Sequence, residues 1–276
     1  MSAELRKRIL VAVVGVPFAL YIAYVGSLFF TLLIALVSVL IVRELSRLLR
    51  HLNWHAVPWI TYATTLSLLT VAHYANTKGL TLVVYVALIL GGIASLRPDA
   101  LRGARRLIPT FYVSLAVGFP FATVIMIRDS SIWESNFAGM VMIMMVVGGV
   151  WIVDTAAYFV GRSLGKHKLA PNLSPNKTIE GALGSVLSGA LFAYLWGLLI
   201  ADQVSIPHRL VIGLIIGTMS VVGDLTQSML KRAAGVKDSG SMFPGHGGVY
   251  DRFDSLLFVA PTVYLYLLAI GLIQMP

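Results

Sequence analysis

The sequence predicts an all-α, polytopic integral membrane protein of about nine transmembrane helices with a cytoplasmic N-terminus. Three observations predict it. Hydrophobic residues make up 58% of the 276 and charged residues only 12%, with a mean hydropathy of +0.85, outside the usual mix of soluble domains. Apolar runs recur at about the 17–25 residues that carry a helix across a hydrocarbon core. The basic residues gather in alternate loops, as Lys and Arg do on the cytoplasmic side of short loops.

In chain order the apolar runs lie near residues 9–25, 26–43, 57–74, 79–96, 107–127, 137–159, 179–201, 208–230 and 255–274. Only Gly26 and Ser27 divide the first two. The first follows Arg6, Lys7 and Arg8 as a signal peptide would, but no clear small-residue cleavage site precedes the second, so it is expected to remain as a span. With the N-terminus and every second loop inside, the groups within 6–8, 43–50, 97–106, 162–177 and 231–252 hold 18 of the 21 basic residues; Lys78, Arg128 and Arg209 are the 3 outside. The C-terminus is then outside, and the charged stretch 223–255 faces the cytoplasm. The net charge of +9 follows from this topology and from anionic lipid headgroups. No nucleic-acid module is visible. With no cysteine, neither a disulfide framework nor a thiolate metal site is open to the chain.

Residues 1–128 read as an N-terminal transmembrane scaffold. No acid falls within its spans, and Pro17, Pro109 and Pro120 lie in or near helices that neighbours can support. His51, His55 and His73 have no metal-spaced partner and read as interfacial.

Residues 129–276 read as a C-terminal transmembrane catalytic region, beginning with an acid inside a span. Asp154, Tyr158 and Arg162 follow a four-residue step, which puts them on one helix stripe able to line a pocket, although a structural role for Asp154 stays open. Next comes the glycine-punctuated basic loop 161–168. Ser174, Pro175 and Glu180 then carry the marks of a helix start, with Ser174 as cap and free N–H groups suited to phosphate. Lys177 would strengthen that site. Asn176-Lys177-Thr178 is also a glycosylation sequon, set aside because the charge count puts it in the cytoplasm.

The stretch 223–255 carries four acids and four bases in a chain that otherwise avoids charge. Asp224, Ser228 and Lys231 share a helix face at steps of four and three. Asp251 and Asp254 stand three apart, and with Asp224 they offer carboxylate oxygens suited to a hard cation such as Mg2+. Between them, Pro244-Gly245-His246-Gly247-Gly248 makes a turn whose N–H groups can approach an oxyanion. Lys231, Arg232, Lys237 and Arg252 add positive charge. Carboxylates for a metal with amides and cations for phosphate are the parts of phosphoryl or nucleotidyl transfer. A basic loop between two spans is the plainer alternative.

This stretch resembles the signature of the phosphatidate cytidylyltransferases, also called CDP-diacylglycerol synthases. The matching residues are Ser228, Lys231-Arg232, Lys237-Asp238, Pro244 to Gly248, and Asp251-Arg252-Phe253-Asp254. The run from Ser174 to Thr178 is similar to a second family segment, so the resemblance covers about Asp154 to Asp254. It implies transfer of the cytidylyl group from CTP to phosphatidate, giving CDP-diacylglycerol and pyrophosphate, in a homodimer. On that reading Asp224, Asp251 and Asp254 hold one or more cations, with Mg2+ the leading candidate. Lys231, Arg232, Lys237 and Arg252, with the turn at Gly245, Gly247 and Gly248, neutralise the triphosphate. Arg162, Lys177 and Ser228 bind substrate, His246 donates a hydrogen bond, assists proton transfer or has a structural role in the turn, and Asp238 ligates metal or orients Lys237. The compact length suggests a bacterial plasma membrane.

A polytopic cation transporter or channel using the same carboxylates is the alternative, although the charges gather near one face and no paired discontinuous repeats are evident. The spaced aspartates of the CDP-alcohol phosphotransferases are not found.

Overall fold

The computed structural model describes residues 15–74, 77–200, 203–240, 242 and 247–273. Helices dominate. They are α1 (Gly15–Val25), α2 (Ser27–Arg50), α3 (Pro58–His73), α4 (Thr77–Ser95), α5 (Ala100–Arg128), α6 (Asn136–Leu164), α7 (Ile179–Trp196), α8 (Ile206–Ala233), the one-turn α9 (Tyr250–Phe253) and α10 (Leu256–Ala269). A small antiparallel ribbon, β1 (Lys168–Ala170) and β2 (Ser174–Thr178), joins α6 to α7. Among the described residues seven helices are long and apolar enough to cross a membrane, α9 and α10 counting as one. The chain is a multi-pass, all-α membrane protein. The remaining two expected spans fall on α1 and on the 16-residue α3.

The narrow division at Gly26 is a real break, with Gly26 at φ 67°. Arg128, at the far end of α5, secures it. Its Nε donates to the carbonyl of Ala23 (2.7 Å) and Nη2 to that of Tyr24 (2.5 Å), while Nη1 meets Asp129 Oδ1 at 2.5 Å. The same carboxylate oxygen accepts the Ser27 N–H at 3.2 Å. Thus the last carbonyls of α1 and the first N–H of α2, which a helix cannot satisfy itself, are met by one ion pair.

α5 is the hub, largely buried along its second half and packed against α2, α3, α4 and α10. Pro109 cannot donate to the carbonyl of Arg105, as an ordinary helical residue would. His55 N–H takes that carbonyl instead at 2.9 Å, and Thr110 Oγ1 accepts from Val57 N at 2.8 Å. The missing helical bond is the docking point for the loop before α3.

α6, α7 and α8 form the second packing unit. On α7 the buried residues are Gly181, Ser185, Gly189 and Ala193, four apart, while Leu183, Leu187, Leu191 and Leu195 are exposed along another stripe, the face expected to meet lipid. Small residues let backbones approach where lipid removes the hydrophobic drive for association. At Gly217 of α8 a Cβ would lie 2.5 Å from Val186 Cα and 2.7 Å from Ser185 O. Ser185 Oγ donates to the Gly217 carbonyl at 3.1 Å. Gly217→Val is therefore expected to destabilise the fold by about 1–3 kcal/mol through overpacking, visible as a lower thermal midpoint in detergent.

Candidate active site

The charged ends of α6, α7 and α8, the β1–β2 ribbon and the segment around α9 enclose one cavity of ≈ 1010 Å³. The local sequence dictates its walls. On α8, Asp224, Gln227 and Lys231 recur at three and four residues, so they share the face turned to the cavity. On α6, Asp154, Tyr158 and Arg162 line it as their four-residue step predicts, and Arg162 Nη1 donates to Tyr158 Oη at 3.0 Å.

The expected helix start at Ser174 is corrected. Ser174–Thr178 is extended and pairs with β1, Ala170 with Ser174 and Lys168 with Thr178, and a residue before proline disfavours the helical region. α7 begins at Ile179, capped by Thr178, whose Oγ1 accepts from Gly181 N at 3.1 Å. Glu180 accepts from the backbone N–H groups of Lys166 (3.1 Å) and His167 (3.2 Å) and meets the His167 ring at 2.7 Å, folding the basic loop back. The strand carries Lys177 to the cavity, where it pairs with Asp224. Burial pulls the Lys177 ammonium down to about 8, against the opposing pull of Asp154 and Asp254 and with the Lys231 charge adding to the fall. One ammonium thus stands among three carboxylates.

Asp251 is the most heavily bonded acid. Its Oδ1 accepts from Lys231 Nζ (2.8 Å) and Gln227 Nε2 (2.9 Å). Its Oδ2 accepts from Ser239 N (2.9 Å), Ser239 Oγ (2.9 Å) and Gly248 N (2.8 Å). Lys231 and Asp251 are largely buried, their side chains 14% and 9% exposed. Asp254 also faces the cavity and accepts from Ser255 N at 2.7 Å.

Of the other expected residues, Lys237, Asp238, Gly247 and Arg252 line the cavity. Three do not. Arg232 is exposed and reaches the carbonyls of Leu173 and Val236, each at 3.4 Å. Ser228 is half-buried outside the lining, one helical position round from the buried Gln227. Gly248 is buried and bonds Asp251. Gly245 and His246 lie outside the described residues.

Residues 6–270, almost the whole chain, match the model of the "Cytidylyltransferase family". The chain belongs to that family. It is 30% identical over 271 residues to a phosphatidate cytidylyltransferase of Staphylococcus epidermidis, covering 96% of this chain and 99% of that protein. It is 31% identical over 290 aligned positions to a phosphatidate cytidylyltransferase of Synechocystis, covering 94% and 95%. With the Bacillus subtilis phosphatidate cytidylyltransferase, identity rises to 47% over 118 residues, 43% of this chain and 44% of that protein.

Three residues of this cytidylyltransferase-family site escaped the sequence reading. Gln227 and Ser239 both donate to Asp251, and Glu44 of α2 is 5% exposed and reaches the same segment. Gln227 is signalled by its three-residue step from Asp224. For Glu44 no local signal exists, since it sits among Arg43, Arg47 and Arg50 at what reads as the end of a span.

Among the described residues no three acids or histidines are grouped closely enough to hold a metal by themselves. The donor set still suits a hard cation. Mg2+ is commonly held by one or two carboxylates, with water and substrate phosphates completing its shell, and Asp224 and Asp254 both face the cavity. Asp251, the third expected ligand, has both oxygens engaged by protein donors.

Proposed function

We propose that this protein transfers the cytidylyl group of CTP to phosphatidate, releasing pyrophosphate and leaving CDP-diacylglycerol in the membrane. The observation that carries the proposal is the cavity itself. It lies at the ends of membrane helices, where a soluble triphosphate and an embedded lipid can both arrive, and mixes carboxylates with Arg162, Lys177, Lys231, Lys237 and Arg252. Family membership and the names of the relatives support it.

A phosphatidate oxygen would attack the α-phosphorus of CTP as the bond to the β-phosphate oxygen breaks. The attacking oxygen is already anionic, so no strong base is needed and the main obstacle is bringing two anions together. Fixed cations answer it. Lys231, held by Asp251, and Lys177 would stand at the reacting phosphates, and Arg162, Lys237 and Arg252 would neutralise the rest. Asp224 and Asp254 would hold Mg2+, and a second cation if one binds, which supplies positive charge at the CTP phosphates. His246 would donate a hydrogen bond or assist proton transfer, and Gly245 would help to neutralise the triphosphate. The same proposal places a homodimer in a bacterial plasma membrane with its N-terminus in the cytoplasm; the charge distribution supports the orientation, and the family resemblance the dimer. A transporter draws no comparable support, since the charged residues gather at one end of the helices.

Purified protein given labelled CTP and phosphatidate in mixed micelles is expected to form labelled CDP-diacylglycerol. Excess EDTA should stop it and Mg2+ restore it. Protein that consumes no CTP, or whose rate is indifferent to EDTA, would defeat the respective part of the proposal.

A further inference from the structure

The geometry points to Glu44, in the N-terminal half of the chain, as a positioning residue for the cavity; the inference rests on the catalytic reading above. Glu44 is 5% exposed. A buried carboxylate persists where donors compensate its lost hydration, and the donors here come from a segment about two hundred residues away. Glu44 Oε2 accepts the Tyr250 N–H at 2.8 Å and faces the Ser239 hydroxyl at 3.3 Å. Ser239 in turn meets Asp251 with both its N–H and its hydroxyl, each at 2.9 Å. Asp251 holds Lys231 at 2.8 Å. The line Glu44, Ser239, Asp251, Lys231 therefore runs from α2 to a cation in the cavity wall.

The segment is shaped around this carboxylate. A Cβ at Gly240 would lie 2.6 Å from Glu44 Oε1, and one at Gly248 would collide with Glu44 Oε2 and stand 2.5 Å from Ser239 Oγ. Two acids, Glu44 and Asp251, thus share one serine and flank the start of α9. Glu44 does not line the cavity and has no access to a reacting atom. It acts by fixing where Ser239, Tyr250 and hence Asp251 stand, and misplacement on the ångström scale can cost about 100-fold in rate.

The test uses Glu44→Ala, Glu44→Gln and Ser239→Ala in the full-length protein. Glu44→Ala is expected to lower kcat by about 100-fold, and Glu44→Gln, which keeps an acceptor for Tyr250 N–H, by about 10-fold, with the KM for CTP changed much less. Loss in the Glu44→Gln/Ser239→Ala double variant should fall short of the product of the single losses, as coupled neighbours require. Hydrogen exchange at Gly248 and Tyr250, measured without substrates, should quicken in Glu44→Ala. Wild-type kcat in Glu44→Ala, multiplicative losses, or unchanged exchange at both amides would overturn the inference. Absence of CDP-diacylglycerol synthesis by the wild type would instead overturn the catalytic reading, because the exchange measurement needs no turnover.

Discussion

Asp251→Asn is expected to cut CDP-diacylglycerol synthesis by about 100- to 1,000-fold, the loss typical when a group organising transition-state charge is removed. Both oxygens of Asp251 accept, one from Lys231 and Gln227, the other from Ser239 and Gly248. An asparagine amide must turn its NH2 toward one of those sets, where every partner is a donor. Lys231, its side chain 14% exposed, loses its counter-charge, and breaking one side of such a pair costs about 3–5 kcal/mol. Both activity and thermal midpoint should fall. Adding Lys231→Met should recover part of the midpoint and none of the activity, since the cation proposed to meet the phosphates is gone. Undiminished synthesis by Asp251→Asn would refute its assigned role.

Lys177→Met is expected to lower kcat/KM for CTP or phosphatidate by about 10- to 100-fold, the range for losing a hydrogen bond to a charged partner. The ammonium pairs with Asp224 and feels Asp154 and Asp254, so its removal leaves three acids facing one another and anionic substrates. The double variant Lys177→Met/Asp224→Asn tests both assignments at once. If Lys177 only balanced Asp224, restoring neutrality would return activity. The expected outcome is that it does not, because the lysine is proposed to contact phosphate and Asp224 to hold Mg2+. Initial rates across CTP and phosphatidate concentrations would show which substrate depends on it.

Those two residues show what the sequence makes legible. Lys231 and Asp224 lie on one long helix, where the 3.6-residue period alone puts them on a common face, and the Asp154 to Arg162 stripe on α6 follows the same rule. The step from Asp224 to Ser228 obeys it less well, because the cavity takes the neighbouring position, Gln227, and a rotation of one residue is invisible without knowing which side packs. Ser174-Pro175 carries a helix-start signature, yet pairing with Lys168–Ala170 overrides it. Glu44 is the extreme case. Its partners, Ser239 and Tyr250, lie near the other end of the chain, and no periodicity records a contact of that range. The helix placements were legible because hydrocarbon imposes length and composition on each span separately, whereas the site is assembled across spans.

The clasp at Gly26 bears on how the protein is built during synthesis. The guanidinium that closes the α1–α2 joint comes from Arg128, 105 positions after the Ala23 carbonyl it meets. The first two segments therefore enter the bilayer with that joint unsealed and stay so until α5 has left the ribosome. Chains stalled before residue 128 should hold their opening pair in a looser, more protease-sensitive arrangement than chains released a few dozen residues later.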